Sequence, residues 1–250
     1  MADPARAPRL AVLIDADNAS PKLADELFRE IAKIGEASVR RIYGDFSSNQ
    51  LQGWIREMPA HAILPQMNLA NTAGKNASDI ALVIDAMDLL HTGRFDGFCL
   101  VSSDSDFTRL ASRIREQGLA VYGFGKATTP KSFVQACQRF IYVENLSAEP
   151  DAGAPAKAEA AQKRSAPKEA AALIRKAMET LEDEDGWVGL GAVGQRLANL
   201  APDFDPRSYG VGKLSDLVEK AGGFETKREE GRSLRIRVKP AAPRRRKKAS

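Results

Sequence analysis

Short apolar runs alternate with helix-like patterns over the first 146 residues of the 250-residue chain. The clearest runs, Leu10 to Ile14 and Phe98 to Val101, contain no polar residue. Such runs are typical of strands buried on both faces of a parallel sheet. Weaker strand patterns occur at 39–46, 62–64, 119–124 and 140–143. The alternation predicts a three-layer α/β domain with a parallel sheet and right-handed crossovers.

Helix signals fill the gaps between these runs. Ser20-Pro21 has the N-cap and first-position residues of a helix, and Ser78 is expected to cap another that carries Asp79 in its first turn. A third helix follows Asp104 and Asp106 at once, carries Phe107 on its apolar face and is expected to stop at Gly118. Shorter helices are predicted at 51–57 and 131–136.

The composition changes after residue 146. Residues 147–166 are rich in Ala, Pro, Glu and Lys without apolar periodicity, which indicates a flexible linker. From 167 to 239 the pattern predicts three helices and then a hairpin, the order of a winged-helix domain. Residues 240–250 form a basic tail. The tail favours non-specific electrostatic attraction or, in a eukaryote, a nuclear address.

Charge is divided unevenly along the chain. The net charge is +4, but residues 1–146 carry 16 basic and 17 acidic residues, whereas residues 147–250 carry 21 and 16. The C-terminal part therefore suits a polyanionic partner. Cys99 and Cys137 lie in apolar surroundings and are expected to be buried free thiols. No apolar run approaches ~20 residues, so we expect a cytoplasmic protein without membrane association.

Four acids are placed at predicted element ends. Asp15 follows the first strand, Asp104 and Asp106 follow the central strand, and Asp79 lies at a helix start. If the two strands are neighbours, all four acids converge on the carboxyl edge of the sheet, where open α/β sheets bind ligands. Such a pocket needs a hard cation, and Mg²⁺ or Mn²⁺ prefers carboxylate and water oxygens. A cation in that position can promote attack of water on a phosphate.

Neighbouring polar residues suggest accessory roles. Asn18, Ser102 and Ser103 are candidates to orient carboxylates or bound water by hydrogen bonds. Lys75, in a polar loop, is a candidate contact for substrate phosphate.

Each assignment has a structural alternative. Ser103 or Asp104 can serve as a helix N-cap, and Asp79 can interact with the helix dipole. Lys75 can be an ordinary loop lysine, and Asp17 a solvated loop residue. We expect Asp85 and Asp88 to form ion pairs or to lie on the surface, because they come further along the same predicted helix as Asp79.

Other chemistries fit the sequence poorly. Neither His61 nor His91 lies near the acids in sequence, which disfavours zinc, and neither is placed to serve as a base beside Cys99. The Asp15-Ala-Asp17 pair superficially suits an aspartyl-phosphate phosphatase. The hydroxyl residue usual two places after the second acid is replaced by Ala19. The sequence therefore disfavours an aspartyl-phosphate phosphatase.

Three blocks of sequence resemble the NYN domain, specifically the LabA-like (DUF88) branch of the PIN-like nucleases. They are Val12-Leu-Ile-Asp15-Ala-Asp-Asn18, Gly74-Lys75-Asn-Ala-Ser-Asp79-Ile-Ala-Leu-Val-Ile-Asp85-Ala-Met and Leu100-Val-Ser-Ser-Asp104-Ser-Asp106-Phe. The resemblance covers residues 8–146. It implies a Rossmann-like PIN domain with ribonuclease activity. It also implies that the metal-binding acids are Asp15, Asp79, Asp104 and Asp106.

A second resemblance covers residues 167–239. Gly186-Trp187-Val-Gly-Leu190, Val193-Gly-Gln-Arg-Leu197 and the segment from Asp203 to Leu214 resemble the OST-HTH, or LOTUS, domain. This implies a winged-helix module that binds RNA. Trp187 and Phe204 are expected in its core. The candidate contacts to RNA phosphate are Arg207, Tyr209, Lys213, Lys227, Arg228 and Arg235, with Arg232 and Arg237 as further hairpin cations.

Together these patterns predict a Mg²⁺- or Mn²⁺-dependent ribonuclease that recruits RNA through its C-terminal domain. A non-catalytic RNA-binding adaptor with a vestigial acidic pocket is the alternative, and a phosphatase or DNA-directed nuclease using the same acids is a second. The RNA, the number of ions and the choice between endo- and exonuclease are open at this point. The oligomeric state is open as well, and a homo-oligomer is one of its possibilities.

Overall fold

The computed structural model describes residues 6–47, 49–67, 77–146, 165–181, 186–228 and 234–239. The chain divides into two compact units. The first is Met1–Ala156 with Ala201–Phe204, and the second is Lys157–Leu200 with Asp205–Ser250. The expected linker, apart from residues 165 and 166, and the basic tail lie outside the described residues. The exact domain boundaries therefore stay a prediction.

The first unit is built on a parallel sheet of six strands. Their order across the sheet is β3-β2-β1-β4-β5-β6, and each neighbouring pair is parallel. The strands are β1 Arg9–Asp15, β2 Glu36–Gly44, β3 Leu64–Met67, β4 Gly97–Val101, β5 Ala120–Gly125 and β6 Arg139–Tyr142. The predicted parallel three-layer α/β architecture is confirmed.

Five α-helices of this unit cover the two faces of the sheet. They are α1 Ala24–Ala32, α2 Gln52–His61, α3 Ala77–His91, α4 Thr108–Glu116 and α5 Lys131–Ala136. Successive residues of a strand point to opposite faces, so Ala11 and Leu13 of β1 pack with α3, α4 and α5. Leu10, Val12 and Ile14 pack with α1 and α2. Burial on both faces explains the unbroken apolar run in β1.

The direction in which the chain adds strands to the sheet reverses beside β1. The chain builds β2 and β3 on one side of β1 and then crosses to build β4, β5 and β6 on the other. The carboxyl ends of β1 and β4 therefore flank the topological switch point, where open α/β sheets bind their ligands. Ile14 of β1 is paired with Val101 of β4 in the sheet register. Consequently the next residues along the two chains, Asp15 at the end of β1 and Ser102 directly after β4, are neighbours.

Three local predictions differ from the structure. Ser20 makes no side-chain cap bond, and Pro21 opens a 3₁₀ turn, Pro21–Leu23, before α1 begins. Ser78 lies inside α3 and so is not its cap. The strand expected at 62–64 begins instead at Leu64, because Ala62 adopts a left-handed conformation with φ 50° and ends α2. The shifts at Ser20 and at β3 are set by turn geometry, which apolar periodicity does not report.

The second unit contains three helices and a small sheet. The helices are α6 Pro167–Met178, α7 Leu190–Leu200 and α8 Leu214–Ala221. The strands are β7 Val188–Gly189, β8 Phe224–Lys227 and β9 Arg235–Val238, in the antiparallel order β7-β9-β8. The three helices and the hairpin are consistent with the predicted winged-helix domain. β7 has only two residues, too few for a periodic signal.

Both cysteines are free and buried, as predicted. Burial in apolar surroundings raises the pKa of the Cys137 thiol to about 12 and also raises the pKa of Cys99. A reactive thiolate is therefore disfavoured at both positions. Within the described part of the chain, no helix has the length and apolar character needed to cross a membrane.

Candidate active site

Asp15 is a buried carboxylate at the carboxyl end of β1. Only 1% of its surface is exposed. Its Oδ2 accepts a hydrogen bond of 2.6 Å from the Ser102 hydroxyl, which is also buried. The bond follows from the register of β1 and β4, which sets the last residue of β1 beside the residue that follows β4. Ser102 is thus placed as expected, holding a carboxylate.

The turn after β1 supplies the other donors to Asp15. The amide Nδ2 of Asn18 donates to Oδ2 at 2.7 Å, and the backbone N–H groups of Asp17 and Asn18 donate to Oδ1 at 3.2 and 3.3 Å. With Ser102, four donors meet a carboxylate that has about four lone-pair directions. These bonds offset the cost of burying the carboxylate. The two long bonds leave Oδ1 as the more weakly held oxygen.

The hydrogen-bond chain continues from Asp15 to the acids after β4. The backbone N–H of Asp104 donates to Ser102 Oγ at 3.0 Å, and the backbone N–H of Asp106 donates to Asp104 Oδ1 at 2.9 Å. Asp104 is the N-cap of the 3₁₀ turn Ser105–Phe107. The capping interpretation of Asp104 is therefore confirmed. Its cap bond uses Oδ1, which leaves Oδ2 available for a second role.

Ser103 has a different role from the one expected. Its hydroxyl accepts a hydrogen bond of 2.9 Å from the backbone N–H of Lys126, which follows β5. Ser103, the residue before Asp104, therefore holds the loop after β5 in place. It does not orient a carboxylate among the described residues.

Asp79 lies in the first turn of α3, which packs against β1 and β2. Partial burial, and then the charges of four other acids, raise the pKa of Asp79 to about 6. Those acids, in decreasing order of effect, are Asp15, Asp104, Asp17 and Asp106. Carboxylates shift one another in this way only when they lie near each other. The four predicted acids thus share one electrostatic environment.

Two further acids belong to this edge and were not predicted as site residues. Partial desolvation, followed by the charges of Asp15 and Asp45, raises the pKa of Asp17. Asp45 comes directly after β2, and hydrogen bonds from the hydroxyl and backbone N–H of Ser47 lower its pKa. The available signal was its position: Asp45 lies at the carboxyl end of a strand, as Asp15 does.

Asp85, the second acid of α3, has a structural role. It accepts hydrogen bonds from the Arg41 guanidinium and the Tyr43 hydroxyl, both on β2. Burial and the bond to Asp85 raise the pKa of Tyr43. The ion-pair interpretation of Asp85 is confirmed, and the contact fixes α3 against the sheet. Asp88 is exposed, as the alternative interpretation expected.

The acids have the right chemistry for a hard divalent cation, because Mg²⁺ and Mn²⁺ favour carboxylate oxygens. Asp15 is also buried without an ion pair in the described part of the chain, a situation that a cation would relieve. The side chains are not drawn together, however. Over the described ranges, no group of three or more His, Cys, Asp or Glu residues is arranged to hold a metal ion. A cation site at this edge therefore stays a prediction.

The predicted RNA contacts in the second unit differ in availability. Lys213, Lys227 and Arg228 are exposed. Arg207 is mostly buried and pairs with the buried Asp205, at 2.6 Å between Nη2 and Oδ2. The Arg235 guanidinium donates to the backbone carbonyl of residue 187 at 2.6 Å.

The remaining predicted contacts and core residues have these positions. Tyr209 is half-buried. Lys75, the proposed phosphate contact of the first unit, lies outside the described residues. Trp187 and Phe204 are half-buried rather than core residues. The Arg237 guanidinium lies 4.7 Å from the centre of the Trp187 ring and also pairs with Glu225 at 2.5 Å, so its charge stabilises the hairpin.

A parallel sheet with several acids at its switch point defines a PIN-like α/β domain in the first unit. The family model of the NYN domain matches residues 9–144, and the chain belongs to the NYN domain family. The NYN domain is a member of the PIN-like nuclease superfamily, whose domains generally use divalent metal ions. A second model, for the OST-HTH/LOTUS domain, which binds RNA, matches residues 162–236. Both predicted domains are thereby confirmed, whereas the LabA-like branch stays a prediction.

Two solved structures are similar to parts of the chain. A protein of unknown function from Vibrio parahaemolyticus is 16% identical, with a TM-score of 0.46, over 56% of this chain and 94% of that one. An uncharacterized protein from Nitrosomonas europaea is 34% identical, with a TM-score of 0.29, over 39% of this chain and 92% of that one. No curated protein matches the chain.

Proposed function

We propose that the protein is a metal-dependent ribonuclease that hydrolyses RNA phosphodiester bonds at the carboxyl edge of the NYN sheet. The observation that supports this most is the raised pKa of Asp79, which results from partial burial and then from the charges of Asp15, Asp104, Asp17 and Asp106. A group of carboxylates near a switch point has an unfavourable self-energy that a divalent cation removes. The NYN family assignment points to the same chemistry.

Mg²⁺ or Mn²⁺ would be held by these four acids, with Asp15 and Asp104 as the principal ligands. When bound, such a cation supplies positive charge that stabilises a phosphate under attack and promotes deprotonation of water. The chain itself supplies orientation. Asn18 and Ser102 hold the Asp15 carboxylate, and Ser102 also fixes the backbone of Asp104. One buried hydroxyl thus positions two of the proposed ligands relative to each other.

The second unit is proposed to recruit the RNA. Lys213, Lys227 and Arg228 are its best candidates for phosphate contacts, because they are exposed. Arg207 and Arg235 are already hydrogen-bonded within the unit, so they are less available for RNA. Phosphate contacts of this kind give affinity with little sequence reading and a strong dependence on salt. Because the two units are joined in one chain, RNA bound by the second unit has a raised local concentration at the acids of the first.

We also expect the protein to act in the cytoplasm. Its two cysteines are free thiols, which persist in a reducing compartment.

The test is cleavage of labelled single-stranded and structured RNA by the full chain with Mn²⁺, Mg²⁺ or EDTA. Asp104→Asn is the diagnostic variant, because asparagine keeps the N-cap acceptor while losing the charge. We expect Mn²⁺- or Mg²⁺-dependent cleavage to fall by at least about a hundredfold in this variant, with RNA binding retained. Asp88→Asn, an exposed acid of α3, is the matched control and should cleave normally. Equal cleavage by Asp104→Asn and the wild type would refute the assignment.

A non-catalytic RNA-binding adaptor is the second candidate. It is favoured by one observation, that no ligand group of three is preformed among the described acids. The adaptor predicts that Lys213→Glu abolishes function whereas Asp104→Asn leaves it intact. The nuclease predicts that Asp104→Asn abolishes cleavage and that Lys213→Glu weakens RNA binding. Parallel DNA and phosphate-ester substrates separate a ribonuclease from a DNA nuclease or phosphatase.

A further inference from the structure

Three cations lie beside the acids that follow β4. Arg109 is in the first turn of α4, Lys126 directly follows β5, and Lys131 is the first residue of α5. All three are exposed. Among the residues that the structure describes, their side chains form no ion pair and no hydrogen bond. We call these three residues the cationic rim.

The fold fixes the rim next to Asp104 and Asp106. β5 is the neighbour of β4 in the sheet, so the loop that carries Lys126 leaves the sheet at the same edge as Asp104. The 2.9 Å bond from the Lys126 backbone N–H to the Ser103 hydroxyl joins that loop to the residue before Asp104. On the other side, α5 packs against both α4 and the turn Ser105–Phe107 that contains Asp106.

The loop after β5 is held in place by several contacts. The backbone N–H of Thr129 donates to the Lys126 carbonyl at 2.9 Å, and that of Ala127 donates to Glu144 Oε1 at 2.9 Å. At Gly125, a Cβ atom would lie 2.6 Å from the Ser102 carbonyl oxygen, so the two backbones approach too closely for any side chain. Lys126 therefore extends from a defined position beside Ser102.

Position distinguishes the rim, because other exposed cations of this unit, such as Arg29 and Arg94, are also unpaired among the described residues. Several arginines are paired within the fold: Arg6 with Asp96, Arg41 with Asp85, Arg113 with Glu116 and Arg139 with Glu30. The rim is unpaired in the described structure although carboxylates lie close by. A polyanion approaching the acidic edge is repelled by those carboxylates, and cations at its border offset that repulsion.

We infer that Arg109, Lys126 and Lys131 bind the phosphodiester backbone of the RNA strand that enters the acidic edge. The inference deepens the proposed function and rests on it, because it assigns the nuclease unit its own contact to substrate, separate from the LOTUS domain. Exposed ammonium and guanidinium groups bind phosphate without reading the bases. The contact is therefore expected to hold any RNA strand in register with Asp104 and Asp106.

The first test compares two charge-matched double variants of the full chain. Lys126→Gln/Lys131→Gln removes two rim charges, and Arg29→Gln/Arg94→Gln removes two exposed cations from α1 and from the segment before β4. We expect kcat/KM for cleavage of single-stranded RNA to fall about tenfold in the rim variant only. The slope of log kcat/KM against log salt should become shallower by about 1.4, the value for two phosphate contacts on a single strand. Equal kcat/KM values and equal slopes in the two variants would overturn the inference.

A second measurement separates failure of the rim from failure of the nuclease. Lysine acetylation of the full-length Asp104→Asn variant is mapped by mass spectrometry with and without a 20-nucleotide single-stranded RNA. RNA should slow acetylation of Lys126 and Lys131 at least about threefold but leave unchanged Lys33, whose side chain is 68% exposed at the end of α1. Protection without cleavage of any RNA by the wild type would support the RNA contact and refute the nuclease. Cleavage with no protection of either rim lysine would support the nuclease and overturn the rim.

Discussion

Asp15 and Asp79 lie in the same acidic edge but are held in opposite ways. Asp15 is buried and accepts four hydrogen bonds, from Ser102, Asn18 and the backbone of the turn after β1. Asp79 is partly buried, and its carboxylate accepts no hydrogen bond from any described residue. Partial burial and the charges of neighbouring acids both raise the pKa of Asp79.

This difference divides the site into a preorganised part and an uncompensated part. The network through Ser102 sets Asp15 and Asp104 in fixed orientations before any ligand arrives. Asp79 needs a proton or a cation to relieve the repulsion that it experiences. A cation that joins both parts therefore gains most from Asp79 and requires least rearrangement at Asp15.

The largest effect is expected when the preorganised part is broken. Ser102→Ala removes the donor to Asp15 and the acceptor of the Asp104 N–H, and both partners are left in a poorly solvated position. We expect a loss of about 2 kcal/mol in the free energy of unfolding, together with at least about tenfold slower cleavage. Urea unfolding and cleavage rates measure the two effects. Ser105→Ala, at an exposed position of the following turn, is the control, and equal unfolding midpoints for the two variants would contradict the network.

Removing the uncompensated charge of Asp79 should have the opposite effect on stability. A carboxyl whose pKa is raised in the fold, from 3.8 to about 6 for Asp79, destabilises the protein above that pKa. Stability should therefore fall as pH rises from about 4 to about 6. Without metal at pH 7.5, Asp79→Asn should be more stable than the wild type by about 1 kcal/mol, after allowance for solvent screening.

The control for this variant is Asp88→Asn, an exposed acid of the same helix. Urea unfolding in EDTA between pH 4 and pH 8 gives the comparison. The slope with pH should be reduced in Asp79→Asn but not abolished, because Asp17 also has a raised pKa. A variant that is less stable than the wild type at pH 7.5 would show that Asp79 is compensated after all.

A smaller effect on stability and cleavage is expected from changing Trp54, which supports the turn after β1. Trp54 of α2 is buried, and its indole N–H donates to the Ala19 carbonyl at 3.2 Å. Trp54→Phe keeps much of the packing but leaves that carbonyl in the turn carrying Asn18 without its donor. We expect a loss of about 1 kcal/mol in stability and a cleavage rate within about threefold of the wild type. A loss of activity as large as that of Ser102→Ala would mean that the turn, not Ser102, determines the orientation of Asp15.

Much of the fold was predictable because burial on both faces leaves an unbroken apolar run. Leu10 to Ile14 and Phe98 to Val101 gave two strands within a residue of their true ends. Helix and strand starts that depend on turn geometry were harder to predict from the sequence. Ala62 adopts a left-handed conformation without being glycine, and this moved the start of β3. The two residues of β7 are defined by pairing with β9, which local sequence does not encode.

The acids of the site could be located because each follows or begins an element. The roles of the hydroxyl groups could not be assigned from sequence, since Ser102 and Ser103 are adjacent and chemically identical. The sheet register turns Ser102 toward Asp15, whereas Ser103 bonds the backbone of Lys126. The pairing of Arg207 with Asp205 was likewise hidden, because it depends on a turn that closes over two residues.

The most direct test of the account is thermal unfolding of the full chain at pH 7.5 over a Mn²⁺ titration, for the wild type, Asp79→Asn and Asp88→Asn. The account predicts that Mn²⁺ stabilises the wild type and Asp88→Asn, by about 2.7 kcal/mol at a hundred times the Kd. The Asp79→Asn variant should gain much less, because the acid that the cation relieves is gone. Equal stabilisation of all three proteins, or none, would contradict a cation site that joins Asp15 and Asp79.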